Sequence, residues 1–197
     1  MKILIACEFS GVVREAFKAK GHDAWSCDIL PTDIAGQHIQ DDVLKHLDEG
    51  WDMMIAHPPC TDLACSGARH FAAKIADGRQ QRALEFVQAL MSAPIEKICI
   101  ENPVGVISSA IRKPEQIIQP WQFGHEAQKS TCLWLKNLPL LQPTNIVGKG
   151  DFVTFPSGKK MAKWYANLPS TNNKQNALKR SVTFRGIAKA MAEQWGN

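Results

Sequence analysis

The sequence predicts an α/β fold built on a mostly parallel, doubly wound sheet with helices on both faces. Three observations predict it. Apolar strand-like runs alternate with amphipathic helical stretches through the first half of the chain. The runs are almost continuously apolar, as strands covered on both faces must be. Polar groups with chemical potential gather just past the ends of these runs, where open α/β sheets bind their ligands.

Residues 2–7 (KILIAC) form the first run. Gly11 then opens a helical pattern in which Val12, Val13, Ala16, Phe17 and Ala19 share a face, and Gly21 closes it. Residues 22–29 read as a second strand and 52–56 (DMMIA) as a third, broken by Pro58-Pro59. Between 77 and 91, Ala83, Leu84, Phe86, Val87, Leu90 and Met91 recur at helical spacing, and Pro94 ends the pattern. Residues 97–100 make a further strand, expected to stop at Glu101-Asn102-Pro103. Beyond Gly105 only Leu133-Trp134-Leu135 reads as a short strand. Residues 141–180 read as a long basic loop without period, and 183–195 as a closing helix.

Composition bounds the function. The chain has 197 residues, enough for one compact domain with a real core. No long apolar stretch or cleavable leader follows Met1, so no membrane span is expected and the cytoplasm is the expected compartment. The six cysteines are scattered, several within apolar runs, which suits buried reduced thiols and not a disulfide framework. The net charge of +4 is mild, but its bases concentrate after Glu96. A polyanion would therefore meet the C-terminal half, with Lys129, Lys159, Lys160 and Lys163 as candidate phosphate contacts. Trp164 lies among the last of these and is a candidate for base stacking. Trp134 and Trp195 are read as core.

Four strand ends carry the chemistry. After the first come Glu8-Phe9-Ser10-Gly11; the glycine permits close backbone approach, and the helix behind it offers N–H groups and a positive dipole to an anion. A plain tight turn would read the same. Asp28 ends the second strand, where an acid accepts from ribose hydroxyls or is simply solvated. Asp42 suits an adenine amine or the cap of the turn that follows. In His57-Pro58-Pro59-Cys60 the two prolines fix the chain and present the cysteine at the sheet edge, as a thiolate nucleophile requires. Glu101 follows a neighbouring strand; buried beside a heterocycle, its carboxyl is expected to titrate high and to hold or protonate a ring nitrogen.

These residues together resemble the DNA cytosine-C5 methyltransferases. Phe9-Ser10-Gly11 with Ala16-Phe17 looks like that family's first motif, Asp28 its second-motif acid, and Asp42-Val43 its adenine-contacting pair. Pro58-Pro59-Cys60, with Ser66-Gly67 downstream, resembles the nucleophile motif, and Glu101-Asn102-Pro103-Val104 the Glu-Asn-Val motif. The likeness covers residues 3–105. It implies a Rossmann-like fold binding S-adenosyl-L-methionine over Phe9, Ser10, Gly11, Asp28, Ile29, Asp42, Val43 and Pro58. It implies a catalytic set of Cys60, Glu101, Pro59 and Asn102. The implied reaction is methyl transfer to C5 of cytosine in DNA: the Cys60 thiolate adds to C6, Glu101 engages N3, and a base in duplex DNA must first be flipped out.

The likeness thins after Gly105. Gln128-Lys129-Ser130 is the nearest approach to the family's Gln-x-Arg-x-Arg segment, and Gly186–Ala190 loosely resembles its last motif. A target-recognition domain has no room, a layout that resembles small phage-borne members. The expected organisation is a single domain, 1–105 being the cofactor-binding and catalytic core and 106–197 a basic, loop-rich part. Duplex DNA is the expected partner, and a homodimer would enlarge the footprint. Other readings stay open: a free pyrimidine nucleotide or single-stranded nucleic acid as substrate, a degenerate binding module, and an amino-methyltransferase, which Cys60 argues against. His57, Cys60, Cys65 and His70 have zinc-knuckle-like spacing, although Pro58-Pro59 is too stiff for a knuckle.

Overall fold

The computed structural model describes residues 1–158, 160–166 and 181–197. A seven-stranded sheet forms its centre, in the order β3-β2-β1-β4-β5-β7-β6. The strands are β1 (Lys2–Ala6), β2 (Asp23–Asp28), β3 (His38–Gln40), β4 (Met53–Ala56), β5 (Lys97–Pro103), β6 (Gln116–Ile118) and β7 (Thr131–Lys136). β1 to β5 run parallel, and β7 enters antiparallel between β5 and β6. The α/β, mostly parallel, Rossmann-like architecture expected from the sequence is what the chain adopts.

The central strands are covered on both faces, and their alternation divides the core in two. Ile3, Ile5, Met53 and Ile55 face a layer with Val13 and Phe17 of α1 (Val12–Lys18) and Ile187, Met191 and Trp195 of the C-terminal helix (Arg185–Trp195). Leu4, Ala6, Met54, Ile98 and Ile100 face the opposite layer. There Val87 and Leu90 of α3 (Arg79–Met91), which follows the short α2 (Phe71–Ala76), pack with Trp134. Each large aliphatic side chain so enclosed contributes about 1.5–3 kcal/mol. Trp134 and Trp195 are core, as expected, and each spends its ring N–H on a carbonyl, Arg112 O and Pro139 O.

Two expectations need correction, and β3 lies where no strand was expected. β5 does not stop before Glu101 but continues through Pro103, because β7 pairs with it there, Glu101 opposite Leu133 and Asn102 opposite Cys132. β3 has only three residues, too few for a period to show. The stretch read as a structureless basic loop contains a hairpin of β8 (Phe152–Thr154) and β9 (Lys160–Ala162). Its strands are short and largely solvent-exposed, so no apolar alternation marks them. Lys159 lies outside the described residues. Among the described residues no helix is long and apolar enough to cross a membrane.

Candidate functional site

The parallel register brings the carboxyl ends of β1, β2, β4 and β5 to one edge, and with them the four polar clusters. The loop after β1 starts with strain: Cys7 has φ +58°, the left-handed region, and Gly11 has φ +71°. Between them Glu8 is 5% exposed and turns back onto the helix it precedes. Its Oε1 accepts from Val13 N at 2.6 Å and Ser10 Oγ at 3.2 Å, and its Oε2 accepts from Arg14 N at 3.2 Å. The N–H groups expected to greet a ligand anion are therefore taken by the chain's own carboxylate. The dipole favours a negative group at that end, and Glu8 reaches it without leaving the protein.

Arg14, wholly buried, extends from the same helix to the loop joining β2 to β3. Its guanidinium donates to Ser26 Oγ at 2.9 Å, Thr32 Oγ1 at 3.2 Å and the Ile34 carbonyl, while Nε meets Glu15 at 2.9 Å. Asp33 N adds a bond to Phe9 O at 2.9 Å, tying the two loops together. The loop so anchored leads from Asp28, whose Oδ1 accepts from Leu30 N at 2.9 Å. Burial raises the Asp28 carboxyl above its ordinary value, against the Leu30 N–H and His38. Ile29 beside it is 74% exposed. Asp42 caps the turn at residues 43–45 through Leu44 N at 3.1 Å, and Val43 is sunk into the core beneath. Asp28 and Asp42 both face Cys7, whose thiol burial first, and then these charges, push well above its ordinary value.

β4 delivers the next cluster. Pro58 is buried, Pro59 exposed and Cys60 half-buried. The Cys60 carbonyl accepts from Leu63 N at 3.1 Å and Ala64 N at 2.9 Å, so the prolines end in one tight turn. Asn102 on β5 donates from Nδ2 to Pro58 O at 2.7 Å and fixes that turn against its own strand. Cys65 N to Val104 O and Val106 N to Leu63 O, both 2.9 Å, extend the attachment. Gly105 is needed here, since a Cβ would stand 2.1 Å from Leu63 O. From the far side, Lys74 donates to Thr61 O and lies 3.3 Å from Asp62.

Glu101 sits next to this turn with a side chain 14% exposed, and His57 Nδ1 lies 3.5 Å from its Oε2. Burial raises the Glu101 carboxyl, as expected, but is outweighed. His57, the Lys129 cation and the Thr131 hydroxyl bring the carboxyl below its ordinary value. The expected high-titrating acid is thus corrected to a carboxylate. The reason is non-local: His57 comes from the end of β4, and Lys129 and Thr131 arrive with β7.

Lys129, read as a nucleic-acid contact, has its charge within reach of Glu101. Lys160 is exposed on β9, and Lys163 pairs with Asp151 at 3.1 Å. Trp164 donates to Gln128 O at 3.2 Å and meets Phe184 edge-on at 5.6 Å. Residues 181–183 close a small cavity over Cys7–Ser10 and His57. The zinc-like set does not assemble: His57 turns to Glu101, His70 accepts from Arg69, and no metal-holding group forms among the described residues. The contacts of Glu8, Arg14 and His57 are ones that sequence reasoning did not anticipate. Only an arginine inside an apolar helical face, flanked by Val13 and Phe17, carried any signal.

No family model matches this sequence, and no curated protein does. Among solved structures, the chain is similar to an E. coli protein described as a candidate DNA modification methyltransferase encoded within a prophage. The TM-score is 0.49 at 15% identity, over 74% of this chain and 51% of that one. The chain thus spans about half the length of that protein.

Proposed function

We propose that the protein is an S-adenosyl-L-methionine-dependent methyltransferase acting on C5 of cytosine in DNA through a covalent Cys60 adduct. The observation that carries this reading is the bond from Asn102 to Pro58 O, which fastens the Cys60 turn to the strand bearing Glu101. A nucleophile and an acid–base group then work on one ring, held in fixed relation. Pro59 and Asn102 are positioning residues in this scheme.

The residues fit the cofactor. Asp28 is a half-buried acid whose charge burial opposes, and ribose hydroxyls donating to it would relieve that penalty. Gly11 opens the loop, Ile29 and Asp42 border the adenine side, and Phe9, Ser10, Val43 and Pro58 shape the floor. When bound, S-adenosylmethionine supplies an electrophilic methyl group. The protein's own part is the rest. The Cys60 thiolate forms a bond to C6, the C5=C6 pair moves into the ring toward N3, and C5 becomes nucleophilic. After transfer the C5 proton leaves, the S–C6 bond breaks and the thiolate is restored. Lys129, Lys160, Lys163 and Trp164, with Lys159 from outside the described residues, would hold the DNA.

Two measurements test the proposal. S-adenosylhomocysteine should bind by calorimetry and bind at least tenfold more weakly to Asp28→Ala. A duplex carrying 5-fluorocytosine should become covalently attached to the wild type and not to Cys60→Ser. Binding without attachment would leave a methyltransferase-like fold with another substrate, and attachment of the free nucleotide alone would move the substrate from DNA to nucleotide.

A further inference from the structure

Glu101 as a carboxylate raises a chemical difficulty. N3 of cytosine offers a lone pair, so a carboxylate facing it sets acceptor against acceptor, and a proton must come from somewhere. His57 is placed to hold one. Its side chain is 9% exposed, at the end of β4, with Nδ1 3.5 Å from Glu101 Oε2. Both ring nitrogens are buried, and neither has a hydrogen-bond partner among the described residues. Nδ1 has only the Glu101 carboxylate to answer it, at 3.5 Å, and Nε2 has no partner among the described residues, so the buried imidazole is costly unless its polarity is used. The ring also lines the small cavity with Cys7, Glu8 and Phe9, so it spans the space between the loop after β1 and the carboxylate on β5.

We propose that His57 and Glu101 form a proton-sharing pair, in which the imidazole supplies the proton that Glu101 carries to N3 of the pyrimidine. This rests on the methyltransferase reading above. As Cys60 sulfur bonds to C6, the C5=C6 electron pair is pushed through C4 onto N3. The proton on His57 Nδ1 passes to the Glu101 carboxylate and from it to N3, leaving a neutral imidazole and Glu101 again a carboxylate. When the thiolate leaves, N3 gives its proton back along the same path and the pair is restored. Histidine suits the relay because an imidazole can hold a proton on one ring nitrogen and pass it to a neighbouring acceptor. The other titratable and polar groups facing the pair are Cys7 and Glu8 from the loop after β1, Cys99 on β5, Lys129 before β7, and Thr131 and Cys132 on it. None of these ordinarily exchanges a proton near pH 7 as readily as an imidazole.

The test uses the full chain, S-adenosylmethionine and a 5-fluorocytosine duplex, following the rate of adduct formation against pH. The wild-type rate should fall on the alkaline side as the pair loses its proton. His57→Gln should lack that limb and run about 100-fold slower at neutral pH, the usual scale of a lost proton donor. Added imidazole should restore much of the His57→Ala rate, a rescue that a merely structural role would not show. Independently of activity, the ring ¹⁵N shifts of His57 should change in Glu101→Gln. A His57→Gln protein with the wild-type rate and pH profile would overturn the proposal, as would His57 shifts indifferent to Glu101→Gln. Failure of the parent reading is recognisable separately, as a wild type that forms no adduct at any pH while the shift coupling persists; proton delivery to N3 would fall with it.

Discussion

At the scale of single residues, the site sets binding against stability. Asp28 is held half-buried with its carboxyl raised, chiefly by burial, so the folded protein carries a penalty whenever Asp28 is ionised. The sign follows directly. The folded value lies above the unfolded one, so the penalty is present at neutral pH and fades as pH falls through the folded value. Asp28→Asn should therefore raise the melting temperature at pH 7 while weakening S-adenosylhomocysteine binding, and the two proteins should converge in stability under acid. A melting temperature lowered at pH 7 would mean that the carboxylate is structurally required. Glu101 has the opposite sign. Its lowered carboxyl stabilises the fold above the unfolded value and ceases to do so as pH falls through the folded one. Two acids on one sheet edge thus act oppositely: for Asp28 burial outweighs the Leu30 N–H and His38, whereas for Glu101 it is outweighed by His57, Lys129 and Thr131.

At the scale of elements, the turn carrying Cys60 is not a free loop but a piece sewn to the end of β5. Asn102 holds Pro58, and the backbones of residues 63–65 and 104–106 exchange bonds across a contact with no room for a methyl group. Gly105→Ala would place its Cβ 2.1 Å from Leu63 O, and a backbone oxygen cannot swing aside as a side chain does. The expected cost is about 1–3 kcal/mol in urea denaturation. Because the displaced segment begins three residues after Cys60, adduct formation should fall even where the protein remains folded. Full adduct yield from a Gly105→Ala protein would show that the turn keeps its geometry without this seam. The helix α1 is likewise finished by groups outside it, Glu8 satisfying its first N–H groups and Arg14 carrying its influence to the loop beyond β2.

At the scale of the whole molecule, the C-terminal helix closes the fold over the face that α1 covers, and a histidine fastens its start. Gly186 N donates to His125 Nε2 at 2.9 Å, which requires that nitrogen to be unprotonated. Burial lowers the His125 value, so the unfolded chain takes up the proton first as pH falls. Stability should drop as pH falls from neutral through the ordinary histidine range, and the C-terminal helix should loosen first. His125→Gln should show less of this drop between pH 7.5 and about 5.5 when urea midpoints are compared. His22 contributes in the same direction and His46 in the opposite one, so the difference between variant and wild type is the quantity to read. An unchanged pH dependence in His125→Gln would remove the histidine from this role.

The sequence by itself determined the elements whose information is local. Apolar runs at 2–7, 52–56 and 97–100, with the strand at 22–29, became the parallel core because strands enclosed on both faces have little polar alternation to show. The groups at their ends, from Glu8 through Asp28 and Cys60 to Glu101, were legible because each run stops abruptly at residues with chemistry. Only the tertiary structure decided what depends on partners far along the chain. β3 and the β8–β9 hairpin are too short to carry a period, and β5 was lengthened by a strand that begins 28 residues after its own end at Pro103. The arrival of β7 brought Lys129 and Thr131 to Glu101, where they join His57 in lowering that acid against its burial. Glu8 was spent on its own helix, and His57 was set against Glu101, through contacts that no spacing encodes. Burial and charge are properties of a neighbourhood, and the sheet, not the order of residues, assembles the neighbours.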